Sequence, residues 1–136
     1  MSISYNKGYK ASGQLTISGP DAFVKAKKTA EIIWSRLNKI NISFAETNTE
    51  FLGINSCHQD IYPSNLLVNE TVIRLSVRDY KFDNVLRFSK EIAPVITSGP
   101  PGITGFSSGR PKVQDIIAYW PTLISKSKIS TKVTLL

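Results

Sequence analysis

Gln14-Leu15-Thr16-Ile17-Ser18-Gly19-Pro20-Asp21-Ala22-Phe23 is the stretch whose reading decides the fold. From Gln14 to Ser18 polar and apolar residues alternate, the period of a half-buried strand. Ser18-Gly19-Pro20-Asp21 then predicts a helix start. Ser18 is placed to cap free amides, Pro20 has its φ preset for the first turn, and Asp21 follows the cap by three. The helix runs to about Lys39. Phe23, Ala26, Ala30, Ile33, Trp34 and Leu37 recur at three- and four-residue steps and define one buried stripe, with Lys25, Lys28, Glu31 and Arg36 largely outside it.

Working outward, Met1 to Gly13 is polar with two glycines and reads as a mobile or loosely docked lead-in. Asn41 to Phe44 and Thr49 to Ile54 read as extended segments around a turn near Glu46 to Asn48, followed by a loop from Asn55 to about Asn69 that contains Pro63. Thr71 to Arg78 alternates cleanly, Ile73, Leu75 and Val77 on one face and Arg74, Ser76 and Arg78 on the other. One covered and one wetter face suggest an antiparallel sheet. A second helix begins near Asp79 to Asp83, with Phe82, Val85, Leu86, Ser89, Ile92 and Ala93 on one side, and Pro94 should bend or end it. Ser98 to Pro111, rich in glycine and proline, reads as a loop. Two strands are expected to close the chain, around Lys112 to Trp120 and Ile129 to Leu135. The expectation is an α+β fold in one domain over residues 1–136. It is a ferredoxin-like two-layer sandwich, two helices packed on one face of a mainly antiparallel sheet with an extra strand.

The totals agree with such a domain. The 136 residues are 41% hydrophobic and 20% charged, ordinary for a folded protein and far from a disordered composition. Apolar runs such as Ile116-Ile117-Ala118 are too short to span a bilayer, and the N-terminus lacks the apolar core of a secretion signal. A single cysteine, Cys57, permits no internal disulfide, which fits a cytoplasmic location. The balance of 17 Lys and Arg against 10 Asp and Glu gives a net charge of +7, which favours anionic partners. The charges are scattered, however, and solvated faces explain them better than a nucleic-acid footprint.

Candidate chemistry is sparse. Cys57 and His58 invite a nucleophile–base reading, but consecutive side chains of an extended segment point to opposite faces. There is no second histidine to build a metal site, and no metal or cofactor is expected. The acids are spread singly, so paired carboxylates are not evident. The stretch from Gly99 to Lys112 is the other candidate. Gly99, Gly102 and Gly105 would let backbone amides approach an anion that Arg110 and Lys112 neutralise. No Gly-Lys-Ser/Thr ends it, so it is not a Walker loop. Arg74 and Arg78 on a sheet face raise RNA binding, yet that strand offers no aromatic on the same face for stacking.

Three stretches, in order, carry a resemblance. They are Tyr9 to Leu15 with Ser18-Gly19-Pro20-Asp21-Ala22 and its helix, Phe51-Leu52-Gly53-Ile54-Asn55-Ser56 with His58, and Thr97-Ser98-Gly99-Pro100-Pro101-Gly102 before a turn carrying Arg110. Together they resemble the C-terminal part of the AtuA-type acyclic terpene utilisation family, over nearly the whole chain. The resemblance implies a catabolic accessory or enzyme-like role. It also implies a larger N-terminal portion, expected to come from a separate chain unless the module self-associates. Asn55, Ser56 and His58 become candidate ligand contacts because they lie in a family-like segment. The expectation is an accessory module that completes a fold or an interface, with a small basic nucleic-acid-binding module as the alternative.

Overall fold

The structure is a computed structural model, and it describes residues 2–54, 56–57, 67–105 and 109–134. Five strands and three helices follow in the order β1 (Ser2–Ser18), α1 (Ala22–Lys39), β2 (Glu46–Leu52), β3 (Glu70–Asp79), α2 (Phe82–Ile92), α3 (Pro94–Ser98), β4 (Ile103–Gly105) and β5 (Gln114–Pro121). The expected α+β class is correct. Every recorded strand pairing is antiparallel, and the sheet order is β2-β3-β1-β4, with β5 also on β1.

β1 organises this sheet. Tyr9 to Ser18 pairs with β3 on one edge, while Leu15 to Ile17 pairs with β4 and Ser2 to Lys10 with β5. Tyr9 is opposite both Asp79 and Asp115, so β5 lies on the edge away from β3. The expected lead-in is therefore strand. Its polar composition hid this because Ser2 to Gly8 reaches beyond β3 and is ordered by β5, a partner more than a hundred residues away.

That projecting part of β1 and β5 form a two-stranded arm. A bulge separates it from the sheet body: Asn6 faces Ile117, whereas Tyr9 faces Asp115. Gly8 holds φ +106, and a Cβ there would come within 2.6 Å of the Asp79 carbonyl oxygen. Asn6 secures the turn, accepting from the Gly8 amide at 2.7 Å and donating to Asp115 Oδ1 at 3.1 Å. The extra residue shifts the alternation of β1 by one.

Beneath the helices the core is continuous. Ala11, Leu15, Ile17, Ile73, Leu75 and Val77 line the covered sheet face, meeting Ala22, Ala26, Ala30, Ile33 and Leu37 from α1. α2 contributes Val85, Phe88 and Ile92, and α3 adds Val95. Small side chains on α1 let that helix lie close over β3, while Gly13 in β1 does the same for α2. A Cβ at Gly13 would meet Ile92 Cγ1 at 2.9 Å. The second stripe was expected through Phe82 and Ala93, but both are exposed. Phe88 is fully buried instead, stacked near Trp34. Val85, Ser89 and Ile92 of the expected stripe are buried, and packing against β1 centres the buried side on Phe88 rather than on the edge that carries Phe82 and Ala93.

Other expectations are corrected. Ser18 does not cap α1: it is the last residue of β1, its amide donates to the Gly102 carbonyl, and its hydroxyl also faces that carbonyl. The cap position is Asp21, at φ 57 without a side-chain cap bond. Asn41 to Phe44 is not strand, while β2 takes in Thr49 to Leu52 of the second expected segment and begins earlier, at Glu46, within the expected turn. The Gly-rich connection contains β4, because β1 offers an open edge there. Residues 129–134 form no strand, and a 3-10 turn at Lys126–Lys128 precedes them. Their alternation is real, but a period of two has no effect without a neighbouring strand. Pro94 does separate two helices, ending up at the first turn of α3, where its missing amide costs nothing.

Glu91 is a buried charge in this core, its side chain 3% exposed between Arg36 of α1 and Arg87 of α2. Arg36 Nε donates to it at 2.7 Å, and Arg87 Nη2 donates to its second oxygen. The two arginines are about half exposed, so the pair is asymmetric. Replacing both with leucine leaves a buried carboxylate alone and should cost on the order of 3 kcal/mol. Glu91→Leu frees two guanidiniums that can turn to water and should cost about 1 kcal/mol. Urea unfolding of the two variants checks the order.

Candidate functional site

The sheet face away from the helices is open, and its chemistry changes along its length. On β3, Arg74, Ser76 and Arg78 point to it, as the alternation requires. Glu50 and Glu46 of β2 lie beside the two arginines. Arg74 Nε donates to Glu50, and Arg78 Nη1 donates to Glu46. Arg78 also reaches the Tyr80 hydroxyl at 3.1 Å, with its guanidinium 5.0 Å from that ring. Ser12 and Ser76 share a hydrogen bond at 2.9 Å between them. Both arginines are thus committed to carboxylates of the neighbouring strand. The Arg74 bond holds the Glu50 carboxyl below the usual carboxylate range, its charge adding to the effect and partial burial opposing it.

The Gly99 to Lys112 candidate separates into two parts. Arg110 and Lys112 come together beside Pro111, Gln114 and Ser12 around an open depression of about 460 Å³. Gly99 and Gly102 do not join them, whereas Gly105 lies with Arg110 along a smaller notch. A Cβ at Gly102, which holds φ +87, would lie 2.5 Å from the Ser18 carbonyl oxygen, and one at Gly99 would lie 2.5 Å from that of Val95. Gly105 packs against Ile96, where a Cβ would come within 2.9 Å of Cδ1. Close backbone packing accounts for Gly99 and Gly102, while Gly105 faces the Ile96 side chain. Arg110 also borders a smaller apolar notch of about 110 Å³ lined by Leu15, Ile92 and Ile96.

Asn55 and His58 lie outside the described residues. Ser56 and Cys57 lie within them, with Cys57 exposed and its sulfur 4.0 Å from the Ser56 hydroxyl. Among the described residues no group of three His, Cys, Asp or Glu side chains is arranged to hold a metal ion. Among the described residues no helix is long and apolar enough to cross a membrane.

The arm is the feature the sequence reading missed. On the open face, Ile3 pairs with Trp120 and Tyr5 with Ala118, with Ile116 alongside. On the opposite face of the ribbon lie Ile117 and Tyr119. Exposure is 47% for Ile3, 42% for Tyr5, 63% for Ile117, 64% for Tyr119 and 62% for Trp120, so large apolar side chains sit uncovered on both faces. Their clustering was legible only in part. Ile116 to Trp120 reads as a strand, but β1 residues Ile3 and Tyr5 join it through long-range pairing.

Comparison with known proteins gives two findings. The model of the family described as acyclic terpene utilisation family protein AtuA matches residues 1–135. A solved structure with a similar chain path is an amidase (hydantoinase/carbamoylase family) from Burkholderia phymatum. It has 12% sequence identity and a TM-score of 0.48, over 85% of this chain and 28% of that one. This chain therefore spans under a third of that protein's length.

The open-face ion pairs have a pH signature. Glu50 titrates lower in the folded chain than the ordinary value of about 4.3. Its stabilising contribution is complete above that value and is lost as pH falls through the depressed folded one. The difference in urea midpoint between the wild type and Glu50→Gln should therefore be constant from neutral pH to about 5 and shrink below about 4.

Proposed function

The chain belongs to the acyclic terpene utilisation AtuA family. From that premise we propose that it is a non-catalytic interaction module, a ferredoxin-like sandwich that docks another polypeptide through its β1–β5 arm. The strand order β2-β3-β1-β4, with helices after β1 and β3, supports the split βαβ reading of the body. The observation that carries the functional reading is the arm. A two-stranded ribbon is marginal by itself in water, and this one exposes large apolar side chains on both faces. Contiguous exposed apolar surface of this kind marks an interaction site.

Nucleic acid is the weaker reading. Arg74 and Arg78 are held by Glu50 and Glu46, and the arm's aromatics are interleaved with Ile3, Ile116 and Ala118 rather than with cations. One further role has its own support. Arg110, Lys112 and Ser12 border a single open depression, which suits a small anion such as phosphate.

Two outcomes test these readings. With differently tagged copies of this chain, and with a separately expressed chain carrying the family's N-terminal portion, the wild type should retain at least one of the two. The double variant Ile117→Lys/Trp120→Lys should lose retention while its thermal unfolding stays within a few degrees of wild type. Equal retention by the two proteins sinks the reading. For the depression, phosphate titrated into labelled protein should shift amide signals at Ser12, Arg110 and Gln114. The shifts should vanish in Arg110→Ala/Lys112→Ala, and their absence from the wild type removes the anion role.

A further inference from the structure

The sheet has two kinds of edge. β2 bounds one side with Glu46-Thr47-Asn48-Thr49-Glu50, polar and carrying two like charges, the usual protection against pairing with another chain. β5 bounds the other, and across Ile116-Ile117-Ala118-Tyr119-Trp120 it carries no charge and no proline. Pro121 follows immediately and closes the segment, since it has no amide to donate. The outer edge of β5 is unpaired among the described strands.

That segment has a self-complementary order. Two β-branched residues precede Ala118 and two aromatics follow it. Consider two copies paired antiparallel with Ala118 at the two-fold axis. Ile116 then stands opposite Trp120 of the second copy, and Ile117 opposite its Tyr119. Aromatic against β-branched is a favourable cross-strand pair, and the symmetry produces it four times. Asp115 falls opposite Pro121 and Gln114 opposite Thr122, so no like charges meet. Moving the centre to Ile117 sets Ile116 opposite Ala118 and the two aromatics opposite Asp115 and Gln114, and moving it to Tyr119 sets Trp120 opposite Ala118 and Ile117 opposite Pro121, so either shift loses this matching. Small Ala118 at the axis also leaves room for the flanking rings.

We propose that β5 pairs edge to edge with β5 of a second copy of this chain, about a two-fold axis at Ala118, making one continuous sheet through both arms. This rests on the reading of the arm as a docking surface and names its occupant. On β5 itself, the exposed side chains Ile117, Tyr119 and Trp120 offer roughly 100 Å² each, on the order of 300 Å² per copy. Doubled, that lies below the size of stable specific interfaces, so the pairing depends on the strand hydrogen bonds as well and is reversible and concentration-dependent. Each copy carries +7, so the two bodies repel and added salt strengthens the dimer. A nucleic-acid complex would weaken with salt.

The test uses the full chain with Cys57→Ser, which removes the native thiol. Sedimentation over roughly 1 to 500 µM should show a monomer–dimer equilibrium shifting to dimer with salt. Ala118→Cys in that background places two thiols at the axis, within the Cα separation a disulfide tolerates. With oxidised glutathione as oxidant, it should give a disulfide-linked dimer on a non-reducing gel. Asp115→Cys, six residues out of register with its own copy or about 20 Å away, should not. Ile117→Lys should abolish the dimer without lowering the urea midpoint of the body. A dimer that forms while Ala118→Cys and Asp115→Cys crosslink equally, or not at all, overturns the β5 pairing. A monomer at every concentration also overturns it. If that monomer still retains the separate N-terminal chain through the arm, the docking reading survives alone; if it retains neither, both fail.

Discussion

Everything in this protein hangs on the hydrogen bonding of β1 along both of its edges. One 17-residue strand pairs with β3, β4 and β5, and the helix-covered core is laid against its central residues. Because consecutive side chains alternate, Ala11, Leu15 and Ile17 must face the core once Leu15 is placed there. Gly13 completes that face by having no side chain, which brings α2 down until Ile92 touches the strand. The helices then have little freedom left, and Glu91 is sealed between them with two arginines reaching in from the surface.

The bulge at Gly8 divides β1 into two strands with different tasks. Beyond it, Tyr9 faces the core side and packs edge-on against Phe82, 5.4 Å between ring centroids. Before it, β3 has ended and only β5 accompanies the chain. The same covalent strand is thus interior to the sheet at one end and a thin ribbon at the other. A ribbon has no layer to cover it, so apolar side chains there remain exposed, where on the body they would be core. This difference in coverage is the physical basis for assigning interaction to the arm and structure to the body.

Charge on the open face follows a separate logic. The basic excess of the chain does not form a field over the sheet, because β2 supplies carboxylates in register with the β3 arginines. The cations that gather without a carboxylate in the same lining are Arg110 and Lys112, carried there by the approach to β5. Gly99 and Gly102 take no part, being packed against Val95 and Ser18, while Gly105 and Gly109 border the notch beside Arg110.

Much of this was legible in the residues themselves. Alternation in Gln14 to Ser18 and Thr71 to Arg78, and the helical stripe through Ala26, Ala30, Ile33 and Leu37, depend on local periodicity and survive folding. They determine the α+β class and the covered face, and the ordered motifs carried the family. What tertiary structure alone decided was every feature whose partner is distant. Ser2 to Gly8 became strand because β5 lies beside it, and Ser18 was drawn from a capping role into the sheet by Gly102. Phe88 rather than Phe82 entered the core because of where α2 meets β1. Residues 129–134 kept a strand's pattern without forming one. Periodicity states which side of a segment can be buried, but a strand exists only where another backbone completes its hydrogen bonds, and that is a property of the folded sheet.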